Sequence, residues 1–348
     1  MFEWRLATLE SSQFMNKIVP NILLTVGCIA LWSLATGCGK PAPVENEAGG
    51  STQTQQTSSK KTIGVSLLTL KNPFFKVIGD HITSEGAKSG YETIVLSADE
   101  DVAKQSNQVK DFIVKKVSAI VLSPCESRSI VPVIQEANEA GIPVITVDIP
   151  CNEPGVKILT QVATDNYSGG KEAGKAMIDA LGSAGGKVAI LHFAQAESCR
   201  LRVKGFREII DTYNQASPNK IDMVMELEGG GDKAIGYKAA EDALQAHPDL
   251  RGIFAINDPS ALGARAALEK AGKADQVLII GFDGQPEGKQ AIKDGKIYAD
   301  PIQFPDRMGV QVVKSIIAHS KGEDVPSEQL IPTSLYRQED GLKDPDLQ

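Results

Sequence analysis

Residues 62–97 read TIGVSLLTLKNPFFKVIGDHITSEGAKSGYETIVLS, and this stretch decides the fold. IGVSLL is a short, mostly apolar run of the kind that forms a strand. Residues 74–89 then carry an amphipathic helical pattern, which Asn72 can cap and Pro73 can open. TIVLS is a second strand run. The same alternation continues through SAIVLS, PVITVD and KILTQVA, separated by helical stretches at 102–116 and 128–140. A second round follows in KVAILHF, IDMVMEL, GIFAIN and VLIIGFD, with helices expected near 167–181, 199–214, 233–247 and 260–271. Continuous apolar strands alternating with helices imply parallel sheets covered on both faces. Two rounds predict an α/β protein of two doubly wound lobes of similar size.

Composition agrees with that plan. A chain of 348 residues, 42% hydrophobic and 23% charged, has material for about two globular domains. Lys+Arg 36 against Asp+Glu 44 gives −8, which argues against a nucleic-acid partner bound by phosphate neutralisation. The four histidines, His81, His192, His247 and His319, are scattered, so neither a metal site nor a cofactor is expected.

The N-terminus reads as an address. From Met15, where translation can begin, one Lys precedes an apolar run from Ile22 to Leu34 and then small residues. That order describes a secretory signal, expected over residues 1–37; an uncleaved anchor is the alternative. Leu34-Ala35-Thr36-Gly37-Cys38 resembles the lipobox of bacterial lipoproteins. The resemblance implies cleavage before Cys38, lipid on its sulfur and membrane attachment by that lipid alone. Residues 38–61, rich in Pro, Gly, Ser, Thr and Gln, read as a flexible tether.

Catalytic signatures are missing where they would have to stand. The first strand is followed by Leu68-Thr69-Leu70-Lys71-Asn72-Pro73, not by a dinucleotide-binding turn. Gly185-Gly186-Lys187 lacks the rest of a phosphate loop, and neither H-E-x-x-H nor G-x-S-x-G occurs. No catalytic residue is assigned, and the chain reads as a binding protein.

Ligands of open α/β sheets sit beyond the carboxyl ends of the strands. There the sequence places Phe74 and Phe75, then Asp148, Arg202, Asn257 and Asp283. Each has a plain structural reading as a turn, cap or surface ion pair. Together on one rim they describe a site for a neutral polyol, with aromatic rings for C–H faces and carboxylate, guanidinium and amide groups for hydroxyls.

At this point the chain resembles the periplasmic sugar-binding proteins of the ribose-binding type, the capture subunits of ABC importers. The resemblance runs from Thr62 to about Arg337. It is carried by NPFF at 72–75, PVITVD at 143–148, ATDN at 163–166, R-x-x-G-F at 202–206, AINDPSALGA at 255–264, GFDG at 281–284 and QFPD at 303–306. It implies that Asn72, Phe74, Phe75, Asp148, Arg202, Asn257, Asp283 and Gln303 contact a monosaccharide, a pentose or hexose, with Phe74 stacked on the ring. It also implies a membrane permease partner, monomeric action and a periplasmic or extracytoplasmic location. A sensor that presents its ligand to a chemoreceptor or sensor kinase is the alternative output.

Two positions depart. The arginine that follows the aspartate in ribose binders is Ile149 here, and an aromatic of the second lobe falls at or near Gly231. Their loss points to a bulkier or differently hydroxylated sugar than ribose. Glu197 and Asn152 lie close enough in sequence to replace lost contacts.

The family topology implies three crossings between lobes, near Thr164-Asp165, Gln303-Phe304 and Ser334-Leu335. The first lobe would be 62–164 with 304–334, the second 165–303 with 335–340, and 341–348 a tail. Helix 305–320 would thereby return to the first lobe. Of five cysteines, Cys28 goes with the signal and Cys38 takes lipid, leaving Cys125, Cys151 and Cys199. Either all three are free or one is unpaired; a Cys125–Cys151 bridge is the conceivable pairing, because both follow strands of one lobe.

Overall fold

The computed structural model describes residues 61–347. The signal, the lipidation at Cys38 and the tether up to residue 60 lie outside the described residues.

The first sheet is built from β1 (Lys61–Leu67), β2 (Tyr91–Ser97), β3 (Ala119–Leu122), β4 (Val144–Val147), β5 (Thr160–Thr164) and β11 (Glu328–Ile331). Its order is β11-β5-β4-β3-β1-β2, parallel throughout. The second sheet takes β6 (Gly186–His192), β7 (Ile221–Glu228), β8 (Leu250–Ala255), β9 (Leu278–Ile280), β10 (Ala299–Ile302) and β12 (Ser334–Arg337). It repeats the same order, β12-β10-β9-β8-β6-β7, with β12 antiparallel to β10. The two doubly wound lobes are therefore present. In each sheet the order reverses beside the first strand, which opens a crevice at the strands' carboxyl ends.

The helices are α1 (Pro73–Lys88), α2 (Val102–Val114), α3 (Val131–Glu139), α4 (Asn166–Leu181), α5 (Glu197–Ala216), α6 (Lys233–Ala246), α7 (Asp258–Lys270), α8 (Pro286–Lys293), α9 (Pro305–Ser320) and the short α10 (Gln338–Gly341). Burial explains the strands: every residue of AIVL in β3 and VITV in β4 is inside, as a strand covered on both faces requires. α1 buries Phe74, Ile78, Ile82 and Gly86 at four-residue spacing, the stripe that faces its sheet.

Three passages connect the sheets. α4 follows β5 yet packs on β8, β9 and β10; α9 follows β10 yet packs on α1, β4 and β5. The two-residue link Pro332-Thr333 then carries the chain from β11 to β12.

Strand β5 begins at Thr160, not at Lys157. The Asn138 side chain captures the Lys157 backbone through both its N–H (2.7 Å) and its carbonyl (2.9 Å), holding that segment as a loop. Periodicity did not show α8, β10, β11 or β12. The Cys125–Cys151 bridge does not form: Cys125, Cys151 and Cys199 are all free and buried. Cys125 belongs to the apolar cluster that also holds Leu68, Phe74 and Phe75, whereas Cys151 belongs to a different cluster with Phe112 and Ile134. Following two strands of one sheet did not bring the two thiols together.

Candidate functional site

A cavity of about 660 Å³ opens where the strand ends of the two lobes face each other. All eight sequence-assigned residues line it: Asn72, Phe74, Phe75, Asp148, Arg202, Asn257, Asp283 and Gln303.

Asn72 caps α1, its Oδ1 accepting from Phe74 N at 3.0 Å. This fixes the first turn and turns two consecutive aromatics inward, as an edge-to-face pair with centroids 5.4 Å apart and planes at 87°. Both rings are nearly buried and both reach the cavity. Asn257 caps α7 in the same way, Oδ1 accepting from Ser260 N at 3.0 Å. Its amide nitrogen faces Gly231, where an added Cβ would come within 3.1 Å of it.

Asp148 follows β4 at φ +64, and the Ile149 N–H returns to the Val147 carbonyl at 2.8 Å. This is a γ-turn of the strained, left-handed kind. It swings the carboxylate into the cavity, where Asp148 is 4% exposed and its Oδ1 has no hydrogen-bond partner. Burial pushes its pKa up to about 7, with Asp283 adding to the rise and Arg202 opposing it. Asp283, at φ +106 after β9, and Glu100, at φ +64 after β2, are further cavity carboxylates at positive φ. Strain of this kind persists where the surrounding fold over-determines it, often at binding sites.

Arg202 is fixed on every side. Its Nη1 donates to Asp283 Oδ1 at 3.0 Å and to the Ile256 carbonyl at 2.6 Å, its Nε donates to Asn166 Oδ1 at 2.7 Å, and its guanidinium lies 3.9 Å over the Phe282 ring. The close approach of α4 to α5 makes this geometry: a Cβ at Gly170 would sit 2.1 Å from the Arg202 carbonyl oxygen, and one at Gly205 2.1 Å from that of Tyr167. Asp283 also accepts from Gln303 Nε2 at 2.5 Å and from Gln285 Nε2 at 3.2 Å. Burial raises its pKa against the pull of Arg202. Asp148, Asp283 and Arg202 are thus buried side chains that all line the cavity.

Asp258, which also lines the cavity, and Asp300 are both buried and interact with each other. Burial raises both carboxyls: Asp258 is raised further by the charge of Asp300, whereas Asp300 rises to about 6 with the Asp258 hydrogen bond opposing the rise and the charge of Asp283 adding to it. Asp258 Oδ2 also accepts from Gln285 N at 2.6 Å, which holds the turn that carries Asp283.

Ile149 and Gly231 both line the cavity, so each departure lies at the site. Glu197 and Asn152 do not line it: Glu197 pairs with Arg200 (Nε 2.7 Å) and Asn152 is exposed. Residues that sequence reading missed include Glu100, after β2, and Gly230, Asp232 and Lys233, after β7. The signal was available in the strand-end rule itself, which applies to these two edge strands as well. Among the described residues no group of three or more His, Cys, Asp or Glu is set to hold a metal.

The family described as a periplasmic binding protein domain matches residues 63–324. The chain belongs to that family. This periplasmic binding protein is 34% identical to the ribose import binding protein of Salmonella typhimurium over 277 residues, 80% of this chain and 90% of the relative. It is 33% identical to the ribose import binding protein of Bacillus subtilis over 325 residues, 93% of this chain and 100% of the relative. A solved ABC transporter periplasmic solute binding protein from Actinobacillus succinogenes, with bound D-allose, matches with a TM-score of 0.75 at 27% identity, covering 82% of this chain and 100% of that one. Its relatives are binding proteins rather than enzymes.

Proposed function

We propose that this protein captures a monosaccharide, a pentose or hexose, between two closing lobes and delivers it to an ABC-type sugar importer. One observation carries the reading: eight side chains from both lobes, spread in sequence from Asn72 to Gln303, line one cavity with the chemistry of a polyol site. The sugar-importer relatives support it. Phe74 and Phe75 present faces and edges to ring C–H groups, Asp148 and Asp283 accept hydroxyl protons, and Arg202, Asn257 and Gln303 donate.

The lobes, 62–164 with 304–334 and 165–303 with 335–340, close about the three passages. Export by the N-terminal signal, lipid on Cys38 and the tether to residue 61 would hold the protein, as a monomer, outside the cytoplasmic membrane within reach of its permease.

Calorimetric titration of the purified, ligand-free protein with pentoses, hexoses and polyols tests capture. One tight sugar, lost in Asp148→Ala and Arg202→Ala, is the expected result; a folded protein that binds none of them contradicts it. Release of Cys38→Ala from the membrane fraction tests the anchor.

A further inference from the structure

The wall beside Asp148 bears on which sugar is taken, an inference that rests on the sugar-capture reading. Ile149 is 2% exposed and lines the cavity directly after Asp148 in the chain. Leu68 of the first lobe and Ala196 and Cys199 of the second line the same cavity and belong to one apolar cluster with Ile149. Burial pushes the Cys199 thiol up to about 12, so it stays neutral and behaves as a small hydrophobe. These four side chains offer a ligand hydroxyl neither charge nor amide. Asp148, by contrast, holds a buried Oδ1 with no partner and requires a donor. A ligand that satisfies both must carry a hydroxyl and, next to it, an apolar group.

We propose that the site selects a deoxy sugar, whose hydroxyls meet Asp148 and whose methyl or deoxy carbon lies against Ile149, Ala196 and Cys199, with Ile149 as a specificity-determining residue. A hydroxyl forced against this wall loses its water and gains no partner. A methyl there loses nothing and buries apolar surface. Discrimination between matched sugars of about 10- to 100-fold follows from that difference.

The test is calorimetry on the whole protein with matched pairs: D-galactose and D-fucose, L-mannose and L-rhamnose, D-glucose and 6-deoxy-D-glucose, D-ribose and 5-deoxy-D-ribose. Wild type, Ile149→Val and Ile149→Thr are compared. The deoxy member of at least one pair is expected to bind about tenfold tighter or more. Ile149→Val should keep that ratio, and Ile149→Thr, which supplies a hydroxyl of nearly the same shape, should shrink it severalfold. A parent sugar that binds as tightly as its deoxy partner in every binding pair overturns the inference and leaves sugar capture standing. A ratio unchanged in Ile149→Thr removes Ile149 from the specificity role. No binding by any of the eight sugars overturns the deoxy-sugar inference, while sugar capture falls only if the wider panel of pentoses, hexoses and polyols also fails to bind.

Discussion

The Thr164 hydroxyl donates to Gln303 Oε1 at 2.6 Å, joining two residues 139 apart in sequence that stand on different passages between the lobes. Gln303 Nε2 in turn donates to Asp283 Oδ1 at 2.5 Å. A hydrogen-bonded chain therefore runs from the hinge to a carboxylate that faces the cavity, and all three residues are buried. Any change of lobe angle has to bend this chain or break it, so the hinge and the orientation of Asp283 are mechanically linked.

Thr164→Val keeps the shape of the side chain and removes its donor. Gln303 Oε1 is then left without that partner, a loss of about 1–3 kcal/mol for a buried acceptor. Because Thr164 does not line the cavity, its variant should weaken sugar binding only severalfold, through Gln303. Gln303→Leu also removes an amide from the cavity and should weaken binding by about 10- to 100-fold, again about 1–3 kcal/mol. Calorimetry on both variants checks the order; a larger loss in Thr164→Val would contradict the proposed chain.

Asp148 should cost the ligand-free protein stability. In the folded state its carboxyl takes up a proton at about 7, against 3.8 for an unshifted aspartate. Between those values the folded protein holds the proton and the unfolded chain does not. The contribution of this group to stability is therefore full below about pH 4 and is lost as pH rises through 7. Asp148→Asn cannot ionise and tolerates the left-handed backbone. Its melting temperature without ligand should exceed that of wild type by a margin that widens from pH 4 to pH 8. A constant or shrinking margin would show that the buried charge is compensated.

Ligand binding should show the opposite pH trend. Sugar hydroxyls donate to the ionised carboxylate, so binding expels the Asp148 proton wherever one is held. Affinity should fall as pH drops below about 7, by up to about tenfold per unit, the limit for one linked proton. The measured enthalpy near pH 6.5 should then vary with the ionisation enthalpy of the buffer. Buffer-independent enthalpies would mean that the ligand meets a carboxyl whose protonation does not change.

The sheets were legible because parallel strands buried on both faces are written as unbroken apolar runs, AIVL and VITV above all. Strand β11, EQLI, lies at a sheet edge with alternating exposure, and β10, ADPI, is interrupted by Asp300 and Pro301; neither carries that signal. The passages between lobes are a different matter. Periodicity tells which face of α4 or α9 is buried, not which sheet it is buried against. For the site, strand ends led to Asp148 and Asp283, but not to their positive φ or to the unpartnered Oδ1. Those depend on the γ-turn after β4 and on how many donors the fold brings to each oxygen. The buried approach of Asp258 to Asp300 was invisible for the same reason, since the two are brought together only by the pairing of β8, β9 and β10.

The approach of α4 to α5 gives a last prediction that joins fold and site. Gly170 has no room for a side chain, since its Cβ would lie 2.1 Å from the Arg202 carbonyl oxygen, a backbone atom that cannot rotate away. Gly170→Ala must push α5 outward and carry Arg202 with it. The guanidinium would then lose its fit between Asn166, Ile256 and Asp283. Overpacking of this kind costs about 1–3 kcal/mol, and a loosened buried ion pair adds to that. The variant should melt several degrees lower and bind sugar at least tenfold more weakly. Arg202→Lys separates the two effects: the charge opposite Asp283 stays, the fork to Asn166 and Ile256 goes, and affinity should fall further than stability. Denaturant unfolding and calorimetry on the two variants would check this, and a Gly170→Ala protein with wild-type affinity would show that the helix contact does not position Arg202.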